Sequence, residues 1–267
     1  MLGPMSVPPA DPAPAAPAAP PARRPEARPV VGLLQCGPTP EELEGEHGDY
    51  ADMFRDLLGR DRFDFVHHRV FDGDVPADPF ACDAWCLTGS RHGAYEPHGW
   101  IPPLEALVRG AYAAAVPLVG VCFGHQLVAQ ALGGRVEKFR GGWSVGRVAY
   151  RFDAGAGLPG LDGRELAVAA YHQDQVLEPP PGARTIASSD FCRHAALVYC
   201  ARALTVQPHP EVDEAFLAGL VATRGLALPP ETLARARASL GPALERAPVG
   251  EALARFLADG IAARRGA

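Results

Sequence analysis

The 267-residue chain holds a single lysine, Lys138, among its 25 basic residues, and 31 acidic residues leave a formal net charge of −6. It therefore lacks the basic footprint of a nucleic-acid-binding surface. No apolar run approaches the ~18–20 residues a membrane helix needs, which excludes a helical span. The N-terminus (MLGPMSVPPADPAPAAP) has neither a basic n-region nor an apolar h-region, so it does not read as a secretory signal. Six cysteines in a chain of this length, without such a signal, read as reduced thiols rather than a disulfide framework, and the predicted compartment is the cytoplasm. Neither G-x-x-x-x-G-K-S/T nor G-x-G-x-x-G occurs, so no nucleotide site is legible and no cofactor is expected. There is no internal repeat.

The remaining composition, 48% hydrophobic and 21% charged, is that of an ordinary globular chain. Residues 1–29 hold 10 of the 28 prolines and eight alanines, which predicts a disordered tail that can build neither ladder nor helix. A ligand for a proline-recognising module is the alternative reading of that tail. From residue 30, apolar runs at 30–34, 63–70, 84–88 and 116–121 read as strands. Between them, helical patterns run from an Asp49 cap to Gly59, from Pro102 or Pro103 to 115, and over 123–132. This alternation predicts βαβ units in a three-layer α/β/α sandwich with a central, mostly parallel sheet. Strands are predicted at 135–138, 145–152, 165–169, 185–188, 195–199 and 203–206. Helices around 230–240 and 250–263 are expected to pack on the domain or on a copy of it. The predicted organisation is a catalytic domain over 30–222 and a helical extension over 223–267.

Chemistry concentrates in Gly120-Val-Cys122-Phe-Gly124-His-Gln126. A cysteine between a buried strand and a helix, with glycines two residues before and after, is the cysteine form of a nucleophile elbow. Flanking glycines remove side chains that would clash in so sharp a turn. The geometry lifts the sulfur to the carboxyl end of the sheet, and the helix N-terminus favours a thiolate. Farther on, Thr205-Val-Gln-Pro-His209-Pro-Glu211 places a histidine directly after a strand, with a glutamate two residues later. A cysteine nucleophile needs a base that also returns a proton to the leaving group, and the base needs a carboxylate to orient it. Cys122, His209 and Glu211 supply that set. Three alternatives stay open. His172 with Asp174 is a second candidate base and acid, and the order Cys122, Asp174, His209 also fits a cysteine α/β-hydrolase. A thiol redox sensor is the non-enzymatic reading. Metal-ligand spacing is absent: Cys82 and Cys86 read as core residues, Cys192-Arg-His194 has no second pair, and His67 and His68 point to opposite faces of a strand.

The pairing of G-V-C-F-G-H-Q with a distant H-P-E resembles the class I glutamine amidotransferase family over about residues 30–217. The resemblance implies a flavodoxin-like α/β layering and release of ammonia from the side-chain amide of glutamine. It implies Cys122 as nucleophile, His209 as base and Glu211 as its orienter. Leu87-Thr-Gly89-Ser90 resembles the turn that donates a backbone N–H to the oxyanion, with the N–H of Phe123 as second donor. Ser90 stands where a second glycine is usual, and Pro208 before His209 is a further departure. Gln126 matches a position that touches the bound glutamine, and Tyr171-His-Gln173-Asp174 resembles the loop that holds the amino-acid end of the substrate. The motifs are also similar to those of stand-alone γ-glutamyl peptidases, in which an amine leaves instead of ammonia. For the ammonia-releasing reaction the implied partner is a synthase on another chain.

Overall fold

The structure, a computed structural model, describes residues 27–266. The tail read at 1–29 lies outside the described residues except for its last three. The first half alternates strand and helix: Val30–Gln35 (β1), Glu41–His47 (α1), Tyr50–Leu58 (α2), Asp64–Arg69 (β2), Ala84–Leu87 (β3), Ile101–Ala113 (α3), Leu118–Val121 (β4) and Phe123–Ala131 (α4). A strand-rich run follows: Arg135–Lys138 (β5), Ser144–Phe152 (β6), Glu165–His172 (β7), Asp174–Glu178 (β8), Arg184–Ser188 (β9), Ala196–Tyr199 (β10) and Ala203–Val206 (β11). Glu214–Thr223 (α5), Pro230–Ala238 (α6) and Ala247–Arg265 (α7) close the chain. No helix among the described residues is long and apolar enough to cross a membrane.

Nine strands form one sheet in the order β2-β1-β3-β4-β11-β10-β9-β6-β7. The ladders from β2 to β11 are parallel, and those from β11 to β7 are antiparallel. Alternation along the parallel strands sorts side chains onto two faces. Val31, Leu33, Ala84, Cys86, Val119 and Val121 bury against α2 and α7, together with Phe54, Leu58, Leu253, Leu257 and Ile261. Leu34, Trp85, Leu87 and Leu118 face the other way, onto Leu104 and Val108 of α3 and Leu127 and Val128 of α4. Helix, sheet and helix are thus three layers of an α/β fold, as the apolar patterning predicts. A separate cluster, with Phe216, Leu217 and Val221 of α5 and Ala236 of α6, covers Val145 and Ala169 of the β6–β7 hairpin.

Three elements escaped the sequence reading. α1 buries only Leu43, so it shows no apolar stripe. α5 is apolar on most of its circumference, which blurs a helical period; its start is fixed by Asp213, whose carboxylate accepts from the Phe216 N–H at 2.8 Å. β8 pairs only with β5, in a small second sheet, and where the resemblance implies a loop over 171–174, Tyr171 and His172 end β7 and Asp174 begins β8. Asp49 holds the N-cap position of α2 as expected, but its carboxylate does not cap the helix. It accepts from Gln35 Nε2 at 2.7 Å and Thr39 Oγ1 at 2.8 Å, while Thr39 Oγ1 takes the Tyr50 N–H.

Candidate active site

Cys122 is the single residue between β4 and α4, with φ 52° and ψ −102°. A non-glycine residue in this region stores about 1–3 kcal/mol of strain unless its surroundings hold it there. Here they do. The Cys122 N–H donates to Val206 O at 2.9 Å, and the Gly124 N–H donates to Thr88 O at 3.1 Å. Both flanking glycines are required by contact: a Cβ on Gly120 would lie 2.6 Å from Gly124 O, and one on Gly124 would lie 2.5 Å from Leu87 O. The elbow therefore presses α4 directly onto β3 and β4. All six cysteines are free. Burial pushes the thiols of Cys36, Cys86 and Cys192 up, which keeps them neutral members of the core.

His209 follows β11, the strand next to β4 in the sheet. Its N–H donates to Ala169 O at 2.9 Å, so the antiparallel hairpin reaches back to grip it. Val212 N–H returns to His209 O at 3.3 Å, which folds residues 209–212 into a turn and brings Glu211 beneath the ring. His209 Nδ1 donates to Glu211 Oε1 at 2.7 Å, and the Glu211 side chain is fully buried. Nε2 on the opposite side of the ring makes no formed hydrogen bond; catalytic contacts often tighten only when substrate binds. Burial alone would lower the His209 pKa. The charges and hydrogen-bonding capacity of Cys122 and Glu211 outweigh it and hold the ring's pKa well above the ordinary histidine range. The arrangement favours the imidazolium form of His209.

Gly89, at the end of β3, completes the floor. A Cβ there would lie 3.1 Å from His209 Cε1 and 3.8 Å from Cys122 Cβ, so close approach, not a positive φ, calls for glycine. Ser90 also has ordinary φ, and the departure from glycine costs the turn nothing; its Oγ accepts the His92 N–H at 3.2 Å. Phe123 is fully buried with its ring against Trp100, centroids 5.4 Å apart, so only its main chain faces the site. Its N–H opens α4, where the first donors have no intrahelical acceptor.

These groups open into a cavity of about 390 Å³ whose lining includes Gly89, Ser90, Cys122, Gln126, Tyr171, Gln173, Asp174 and His209. Gln126 Nε2 is occupied by Asp174 O at 2.8 Å and Gln207 Oε1 at 3.1 Å, so its first task is to hold the 171–174 segment against α4. Tyr171 packs edge-on against Trp143 at 5.9 Å. Burial raises the carboxyl of Asp174, which faces the Tyr95 hydroxyl. The competing His172–Asp174 pair does not form. His172 Nδ1 meets the backbone oxygen of Asp174 at 3.3 Å, and burial with the neighbouring His209 charge lowers its pKa to about 3. His209 is likewise bonded to Glu211, not to Asp174 as the hydrolase order requires.

Sequence reasoning missed Thr39, Tyr50, Tyr95, Trp143 and Arg224, which also line the cavity. Tyr50 is the first residue of α2. It packs on Phe216 at 5.8 Å, and burial and the nearby Glu211 and Cys122 charges raise its phenol and keep it protonated. No local motif marks such residues, because they come from separate parts of the chain.

The description of the Glutamine amidotransferase class-I family matches residues 67–215. The chain belongs to the class I glutamine amidotransferase family. Gamma-glutamyl peptidase 2 of Arabidopsis thaliana is 29% identical over 194 residues, covering 71% of this chain and 78% of the relative. The glutamine-hydrolyzing GMP synthase of Thermus thermophilus is 35% identical over 147 residues, 54% of this chain but 28% of that protein. A glutamine amidotransferase structure from Methylobacillus flagellatus superposes with a TM-score of 0.71 at 23% identity, covering 88% of this chain and 96% of that one, which establishes the amidotransferase fold.

Proposed function

We propose that the chain hydrolyses the γ-amide bond of glutamine or of a γ-glutamyl amide through a Cys122–His209–Glu211 triad. The observation that carries this reading is the convergence of all three residues at the carboxyl ends of adjacent strands, under one cavity. The Cys122 thiolate attacks the γ-carbonyl, and the oxyanion is met by the N–H groups of Phe123 and of Ser90 or Gly89. Imidazolium at His209, held by Glu211, gives its proton to the departing nitrogen. His209 then takes a proton from water as it cleaves the γ-glutamyl thioester, and glutamate leaves. Gln126, Tyr171, Gln173 and Asp174 hold the amino-acid end of the substrate. α6 and α7 are a structural extension, with Leu253, Leu257 and Ile261 in the core. The reaction belongs in the cytoplasm, where thiols stay reduced.

Two leaving groups compete. If ammonia leaves, its acceptor is a synthase on another chain. A γ-glutamyl peptidase reaction is supported by the 71% coverage of this chain by the plant relative and by a cavity that runs past Cys122 to Tyr50, Trp143 and Arg224, leaving room for an amine or dipeptide. Incubation of the purified chain with glutamine and, separately, with glutathione decides between them. Release of ammonia from glutamine at the higher kcat/KM supports amidotransfer, and faster release of cysteinylglycine supports the peptidase. Turnover of neither substrate, or turnover that survives Cys122→Ser, overturns the triad.

A further inference from the structure

The loop between β3 and α3 carries a second constellation outside the triad. His92, Glu96 and His98 each present one donor atom, all within 4.8 Å of one another. The Glu96 carboxylate lies between the two rings, with Oε2 3.1 Å from His92 Nδ1 and 2.8 Å from His98 Nε2. Successive tight turns fix the ligand backbone: Glu96 N–H donates to Gly93 O at 3.0 Å, and His98 N–H to Glu96 O at 2.8 Å. Trp100 orients both imidazoles. His98 stacks on it at 6.0 Å with planes 16° apart, and His92 meets it edge-on at 6.2 Å. The indole is itself wedged against Phe123.

We infer that His92, Glu96 and His98 form a binding site for a divalent transition-metal ion of the zinc class. Two imidazoles and one carboxylate are a donor set that such ions prefer over calcium or magnesium, and three protein ligands leave a further position for water or a small anion. Carboxylate-bridged histidines with rings already oriented need little rearrangement to accept the ion: it replaces the shared protons between Glu96 and the two rings. His92 and Glu96 both line the catalytic cavity, and the His92 N–H is bonded to Ser90 Oγ. An ion bound there pins the wall that carries Ser90. The ligands were invisible in the sequence because spacings of four and two residues on an irregular loop match no ligand pattern.

The test uses the full, untagged chain carrying Cys122→Ser, so that metal held by the nucleophile is not counted, and titrates it with Zn²⁺ by calorimetry and with Co²⁺ by visible absorption. The expected result is one ion per chain and the d–d bands of Co²⁺ in a nitrogen–oxygen field. His98→Ala and Glu96→Gln in the same background should each weaken binding at least about tenfold, with unchanged circular dichroism and melting temperature measured without metal. Glu96→Gln keeps the side-chain volume and remains informative if His98→Ala folds poorly. Binding that vanishes with Cys122→Ser, that exceeds one ion without loss in the ligand variants, or that Glu96→Gln leaves as tight as before, overturns the site.

Discussion

The floor of the cavity rests on the carboxyl ends of three neighbouring parallel strands, β3, β4 and β11, whereas the rim is gathered from loops far apart in the chain. On the floor, Leu87 is in register with Gly120, and Val206 with Val121, so Gly89, Cys122 and His209 inherit their spacing from backbone ladders. The rim has no such common frame. Arg224 reaches it from the end of α5, half exposed and paired with Glu42 at 3.1 Å, and Trp143 reaches it from the turn before β6. The difference teaches where precision is held: a laddered floor can fix a reaction, and a looser rim can vary what leaves.

Mutations should divide along that line. The largest effect is expected at His209→Ala, a loss of kcat on the order of 10³-fold or more, because the acid and base steps fail together. His172→Ala, at a cavity-lining residue without a carboxylate partner, should act mainly through KM. Steady-state kinetics with the faster of the two substrates checks this, and a reversed order transfers the role of base to His172.

A smaller effect concerns acid stability of the floor. His125 is fully buried on α4 with Nδ1 2.7 Å from Thr205 Oγ1, and burial together with the His172 charge lowers its pKa to about 3. His172 is lowered to about 3 as well. Both fall below the ordinary histidine value of 6.5, so the unfolded chain binds protons that the folded chain refuses. Their contribution is complete above pH 6.5 and is lost as pH falls toward 3. His209 has the opposite sign: its raised pKa contributes below 6.5 and is lost as pH rises through its folded value. Urea midpoints measured down the acid limb should fall, and His125→Gln should flatten that slope; an unchanged slope would show that other groups govern acid unfolding.

The smallest effect belongs to the rim. Arg224→Gln should lower the kcat/KM ratio of glutathione to glutamine by about two- to fivefold, the range of an exposed ion pair to a free carboxylate. A drop comparable to that of His209→Ala would mean that the rim is as exacting as the floor.

Much of the parallel half is legible in the sequence alone. Strands 30–34 and 203–206 and the helix from 123 follow from local apolar period and from glycine at the turn, because those elements bury both faces or end at a residue without a Cβ. α1, α5 and β8 were not legible, since their partners lie in other parts of the chain and their own patterns are weak.

The sequence by itself determined the elbow and the turn: Gly120, Cys122 and Gly124 admit one sharp strand-to-helix junction, and His209-Pro-Glu211 spans one short hydrogen-bonded turn. Only the tertiary structure decided that these meet under a shared cavity, that Glu211 and not Asp174 holds the histidine, and that His92, Glu96 and His98 converge beside Trp100. The physical reason is range. Backbone sterics and hydrogen bonds between near neighbours act over a few residues and are written locally. Which distant groups share a buried volume depends on strand order and on layer packing, and these emerge only when the whole sheet has closed its core.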